Sequence, residues 1–170
     1  MINRMKLRIV ETKECDLENV QSLWADGDVM KFVGFPNGLQ LSKEEINRWY
    51  QRIAENRPSV NHYSIYFGDE YCGESFYRIE TTRDHSASVD IKLLSKARGK
   101  GIAKAALSYA IAQAFSNGAG KVWVDPDPQN VKALALYERL GFKRCEIPSR
   151  IRNEQYNQVY MELGREELLH

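Results

Sequence analysis

Cysteine is sparse in this chain of 170 residues, with Cys15, Cys72 and Cys145 far apart and no C-x-x-C pair among them. An odd, scattered set excludes a disulfide framework and gives no thiolate metal spacing; it fits free thiols in a reducing compartment. His62, His85 and His170 are equally scattered, so neither a Cys/His nucleophile nor a metal site is expected. Long apolar runs are missing too, and no stretch reaches the length of a membrane span. Arg4, Lys6 and Arg8 interrupt the first ten residues, which therefore lack a signal-peptide core, and the chain reads as cytoplasmic. Charge of one sign is also lacking. Twenty-four Lys and Arg face 23 Asp and Glu, for a formal net charge of +1, so no global field selects nucleic acid or an anionic membrane. With no internal repeat and no low-complexity linker, residues 1–170 read as one domain.

What is present alternates between strand and helix signals. Arg8, Ile9 and Val10 form a first short strand, and Asp16 stands as N-cap to a helix with Leu17, Val20, Leu23 and Trp24 on one face. Residues 29–36 interrupt it. Ser42-Lys43-Glu44-Glu45 is a capping box that starts a second helix through Ile53, and Pro58 ends that region. Residues 63–67 and 72–77 flank Gly68-Asp69-Glu70 as a hairpin. Its aromatics fit strand packing better than a base-stacking platform, because aromatics favour strands in any case. Residues 81–86 are a polar loop and residues 87–94 a strand. Ala103, Leu107, Ala110, Ile111 and Ala114 then recur on one helical face that closes at Asn117-Gly118. Residues 121–125 are a strand broken by Pro126 and Pro128; Asn130 caps a helix over residues 131–140, which Gly141 ends. Residues 142–144 and 158–163 read as late strands.

The most informative stretch is Arg98-Gly99-Lys100-Gly101-Ile102-Ala103, between the strand ending at Leu94 and the helix containing Lys104. Glycines let the backbone turn tightly, and the free N–H groups and positive dipole end of the helix favour an anion. Arg98, Lys100 and Lys104 add full charge, so a phosphate-bearing ligand is expected. A P-loop would need Ser or Thr after Gly-Lys, and Ile102 follows Gly101 instead. A Rossmann fingerprint would need three glycines near the start of a βαβ unit; here there are two, late in the chain.

What remains is R-x-x-G-x-A at residues 98–103 and N-x-x-A-x-x-x-Y-x-x-x-G-F at residues 130–142. Together, in this order and local structure, they resemble the GNAT superfamily of acetyl-CoA-dependent N-acetyltransferases, over about a third of the chain. The resemblance implies an α/β (α+β) fold: a mixed, mostly antiparallel sheet of six or seven strands flanked by helices, with two central strands splayed apart. It implies acetyl-CoA as cofactor, direct transfer to an amine with no acyl-enzyme, and a homodimer as the assembly. The pantetheine arm would lie between the strands at 89–94 and 121–125, on backbone groups of Ile91 and Leu93. The amides of Gly99, Lys100, Gly101, Ile102, Ala103 and Lys104 would hold the pyrophosphate, and Asn130 would bond the arm.

The resemblance also places Tyr137, two helical turns past Asn130, near the sulfur. A phenol near pKa 10 protonating a thiolate near 8.5 works uphill by about 2 kcal/mol, so a hydrogen bond to the developing thiolate is as plausible as complete transfer. The acceptor amine must be neutral to attack. At pH 7 an amine of pKa about 10.4 is handicapped by about 4.6 kcal/mol, an α-amino group by only about 1 kcal/mol. A lysine-like acceptor therefore wants a base. Asp90, between Val89 and Ile91 where burial would raise its pKa, leads the candidates; Asp125 is second and Glu80 third.

The acceptor stays open. Trp24 and residues 29–33 look like the ribosomal-protein N-terminal acetyltransferase branch. Residues 125–130, DPDPQN, look instead like the aminoglycoside 6′-N-acetyltransferase branch. A small-molecule or peptidyl amine, an aminoglycoside, and a non-catalytic acetyl-CoA-binding module are the three readings. A nucleic-acid surface using Arg98, Lys100, Lys104 and Lys121 is weaker, since the anion site already accounts for the first three.

Overall fold

The computed structural model describes residues 6–169, so Arg4 and His170 lie outside it. Seven strands form one sheet in the order β1-β2-β3-β4-β5-β7-β6: β1 (Leu7–Glu11), β2 (Val60–Phe67), β3 (Glu70–Ile79), β4 (Ser86–Leu93), β5 (Lys121–Val124), β6 (Lys143–Arg144) and β7 (Met161–Gly164). Every neighbouring pair is antiparallel except β4 and β5. The helices are α1 (Leu17–Ala25), α2 (Gly27–Met30), α3 (Lys43–Glu55), α4 (Ile102–Ser116) and α5 (Val131–Arg139). This is the mixed, mostly antiparallel sheet that the sequence motifs imply.

Residues paired across antiparallel strands share a face. Tyr63, Tyr77, Val89 and Val122 therefore point to the side covered by α4, where they join Leu107, Ala110, Ile111 and Ala114 in the main core. Ala106, Ala110 and Ala114 are fully buried, and their small side chains bring α4 close against β3 and β4. The other side of the sheet is covered by α1 and α3, with Leu17, Val20 and Ile46 packed against Trp24 and Trp49. The Ser42 capping box forms as expected: the hydroxyl accepts from Glu45 N–H at 3.2 Å, and Glu45 Oε2 accepts from Ser42 N–H at 2.7 Å.

Three local expectations are corrected. Asp16 does not cap α1; its carboxylate accepts from Lys13 N–H at 2.8 Å and closes a preceding 3-10 turn instead. Phe142 is not in a strand, because its N–H bonds Tyr137 O at 3.0 Å and finishes the turn after α5. Gln158, Val159 and Tyr160 precede β7 rather than belong to it, and Val159 N–H reaches Pro126 O at 3.2 Å.

β2 and β3 carry a bulge: Ile65 pairs Gly73 while Tyr66 pairs Tyr71, leaving Cys72 as the extra residue. Gly73 sits at φ 150°, and a Cβ there would stand 2.0 Å from Lys92 O and 2.9 Å from Leu93 Cα. Close approach of β3 to β4 thus requires glycine at this position. Gly73→Ala should cost about 2–4 kcal/mol of stability, from the strained backbone and the overlap with β4. Urea denaturation of the two proteins measures it.

Candidate active site

The parallel ladder of β4 with β5 spans only Ser86, Ser88 and the residue between them, against Lys121, Val122 and Trp123. Beyond that point the strands separate, and a cleft of about 620 Å³ opens between residues 88–93 of β4, residues 123–133 and the α2 turn. Proline at 126 and 128 lacks the N–H needed to continue β5. Leu94 N–H donates to Cys72 O at 2.9 Å. By the alternation of an antiparallel ladder, the backbone groups of Ile91 and Leu93 then face away from β3, toward the cleft.

Of residues 95–104 only Arg98 lines the cleft; beside it a short 3-10 turn (Ser95–Ala97) leads to Gly99 at φ 73° and Gly101 at φ 79°. Only glycine takes this region freely, and the two turns present α4 by its N-terminus. Among the described residues, no acceptor takes the backbone N–H groups of residues 99–104. Lys100 and Lys104 are exposed and make no ion pair among the described residues. Six free donors, a helix dipole and two unpaired ammonium groups make this turn suited to an anion.

Tyr137 lines the cleft from α5 and is 5% exposed. Tyr66, Tyr77 and Tyr160 each direct their hydroxyl to an internal acceptor, whereas the Tyr137 phenol has no partner among the described residues. Burial, then the charges of Asp90 and Asp125, push its pKa well above the ordinary value, so it keeps its proton across the working range. Asp125 is exposed at its outer edge and crowded on its inner one. That desolvation raises its carboxyl, Gln158 opposes with a 3.0 Å hydrogen bond, and the charge of Asp90 raises it further.

Asp90 and Lys92 lie on the face of β4 opposite α4. Lys92 Nζ is bonded to Asp90 and stands 3.4 Å from Glu74 Oε1. Glu74 is 3% exposed and also meets His62 Nε2 at 2.7 Å and accepts from Trp24 Nε1 at 3.0 Å. His62 Nδ1 contacts Thr12 Oγ1 at 2.7 Å. Burial alone would raise the Glu74 carboxyl, but His62 and Lys92 outweigh it and hold it at about 2. Lys92 is moved up in turn: Asp90 and Glu74 overcome the burial that disfavours its charge.

The family description of an acetyltransferase (GNAT) domain matches residues 4–143. The chain belongs to the GNAT acetyltransferase family. Its sequence is 35% identical over 60 residues to streptothricin acetyltransferase of Streptomyces lavendulae, a match that covers 35% of this chain and 32% of that one. The chain thus spans about a third of the length of this curated relative. In fold it is similar to the spermidine N-acetyltransferase of Vibrio cholerae solved with CoA and spermine, with TM-score 0.81, 18% identity, and coverage of 98% and 100% of the two chains. It is also similar to the aminoglycoside acetyltransferase AAC(6')-Ib solved with coenzyme A, with TM-score 0.76, 19% identity, and coverage of 96% and 97%.

Against the GNAT motifs, the structure brings Tyr137, Asp90, Ile91, Leu93, Arg98 and Asn130 to one cleft. Several are engaged differently from expectation. Ile91 N–H is taken by Asp90 Oδ1 at 2.9 Å, and Leu93 O by the Arg98 guanidinium at 3.0 and 3.2 Å. Arg98 also pairs with Asp28 at 2.8 Å, so its charge ties the glycine turn to the α2 turn instead of standing free. Asn130 Oδ1 accepts from Ala133 N–H at 3.2 Å as the N-cap of α5. Asp90 is tied to Lys92, and Glu80 lies outside the cleft, bonded to Thr82 at 2.6 Å.

Lys92, Glu74 and His62 were missed. Asp90 and Lys92 share a face by period-2 spacing, a signal legible in the sequence, but their meeting with Glu74 depends on hairpin register. Glu74→Gln should lower stability at pH 7 by about 3–5 kcal/mol, since Lys92 loses one of its two counter-charges in a buried place. The sign with pH follows from a folded pKa below the unfolded one. The stabilisation from Glu74 is complete above the unfolded carboxyl value and is lost as pH falls toward about 2. Urea midpoints between pH 7 and 2 should fall for the wild type and be flatter for Glu74→Gln across the acid part of that range.

Proposed function

We propose that this GNAT domain transfers the acetyl group of acetyl-CoA to a primary amine of a small molecule or peptide, with residues 6–169 acting as one catalytic unit. The observation that carries it is the combination of bare amides at 99–104, a β4 edge that β5 leaves beyond Ser88, and the unpartnered phenol of Tyr137 in the cleft between the two strands. The residues present fit coenzyme A: six N–H donors and Lys100 and Lys104 for its diphosphate, and the Ile91 and Leu93 edge and Asn130 for its pantetheine arm. When bound, acetyl-CoA would supply a thioester, an acyl group already activated toward amines.

This chain's own residues do the rest. Tyr137 holds a proton at its phenol oxygen inside the cleft and is placed to donate to a leaving sulfur. Asp125, with a carboxyl raised above the usual range and no cationic partner among the described residues, takes over from Asp90 as the group that receives the acceptor's ammonium proton. The walls of the cleft keep the reacting groups together and limit competing water.

A panel of amines assayed by thiol release from acetyl-CoA tests the reading, and no release above background with any of them would refute it. Tyr137→Phe should lower kcat about 100-fold while the dissociation constant for coenzyme A changes less than about threefold. Asp125→Asn should slow transfer to an amine of pKa about 10.4 more than transfer to an α-amino group of about 7.8, because only the former depends on a base. Equal losses for both would remove Asp125 from the proton's path.

A further inference from the structure

The charges that line the cleft are balanced and mostly answered from within. Asp28, Asp90, Asp125 and Asp127 face Lys31, Lys92, Arg98 and Lys132. Asp28 is held on both oxygens, by Lys31 at 3.1 Å and Arg98 at 2.8 Å. Lys31 is itself steadied over the ring of Phe32, 5.2 Å from its centroid. Asp90 is tied to Lys92, whose ammonium is fixed a second time by Glu74 beneath it. Only Asp125 and Asp127 lack a cationic partner among the described residues, and both sit at the end of β5. Opposite them the wall is apolar: Val29, Phe32 and Val33 from the α2 turn and Phe76 from β3. Val33, which lines the cleft, is 48% exposed, an apolar side chain left uncovered among the described residues.

A polycation extends several positive charges along a path and needs an unanswered carboxylate for each. Here the other lining carboxylates are already occupied, Asp28 by Lys31 and Arg98 and Asp90 by Lys92. Around Asp28 two cations stand against one carboxylate, and a further ammonium reaches Asp28 or Asp90 only by displacing a bonded partner. A single ammonium at Asp125 and Asp127, carrying an apolar group toward Phe32, Val33 and Phe76, meets none of these costs and covers apolar surface.

We infer that the acceptor is a primary amine with one positive charge on an apolar body, and that the pairing of Asp28 with Lys31 and Arg98 and of Asp90 with Lys92 leaves a polycation no further carboxylate to meet. The inference rests on the acetyltransferase reading above and narrows it. The relatives solved with spermine or named for aminoglycosides share the fold at 18 and 19% identity. That likeness does not carry the charges lining this cleft. An apolar arylalkylamine and the N-terminal residue of a peptide both supply the required chemistry.

The test is acetyl transfer by the full chain to phenethylamine, leucinamide, a leucyl tripeptide amide, spermine and kanamycin, with coenzyme A binding measured alongside by calorimetry. At least one of the first three should exceed spermine and kanamycin at least tenfold in kcat/KM. Preference for leucinamide and the tripeptide over phenethylamine would assign the peptide source, and the reverse the small amine. Lys31→Gln, an exposed position that frees one oxygen of Asp28, should narrow the ratio severalfold in favour of spermine. Spermine or kanamycin as the better acceptor, or a ratio unmoved by Lys31→Gln, overturns the inference and leaves the acetyltransferase reading standing. Coenzyme A binding with no transfer to any amine overturns both.

Discussion

β4 and β5 run side by side for three residues and then part, and the rest of the site is arranged around that separation. A strand that lost its ladder partner in the interior would leave backbone groups unsatisfied at a cost comparable to lost hydrogen bonds. Here the loss is confined to the edge of β4 that lines a cleft, and part of it is answered locally by Arg98 on Leu93 O and Asp90 on Ile91 N–H. The separation is built from both sides: prolines stop β5, and the bulge at Cys72 with Gly73 adds twist to the strands that carry β4.

Two helix termini meet at this gap, with opposite uses. The N-terminus of α4 keeps its amides bare behind Gly99 and Gly101 and so remains an anion site. The N-terminus of α5 is closed by Asn130, which stiffens the helix that carries Tyr137. One end is left open for a ligand and the other is finished to fix a side chain. A phenol held without a partner among the described residues, next to two carboxylates, is in turn a group whose proton is available to whatever enters.

Beneath the cleft floor, the Glu74–His62–Lys92 cluster places buried charge in a sheet that could have been apolar. Burying ions is expensive, and a well-packed apolar substitute is often as stable. What the cluster achieves is positional: Lys92 is held from two sides, so Asp90 is answered at a fixed place and the floor of the cleft carries a fixed cation rather than a free carboxylate. The Arg98–Asp28 pair then links the glycine turn before α4 to the α2 turn, so the charges on the two sides of the cleft are held together.

The sequence by itself determined most of the elements and the family they belong to. Capping residues, the glycine turn, the proline stop and the spacing from Asn130 to Tyr137 are local features, written within a few residues of where they act, and together they implied the GNAT fold. Asp16, Phe142 and Gln158 were misread because competing local partners, Lys13 N–H and Tyr137 O and the Asp125 carboxylate, are assigned only once the chain has folded. The tertiary structure alone decided the charge state of the acceptor side. Asp28 and Arg98 are 70 residues apart in sequence, and Glu74 reaches Lys92 and His62 through the register of two hairpins. A carboxylate's role depends on which cation stands beside it, and that neighbour is chosen by strand pairing rather than by sequence spacing.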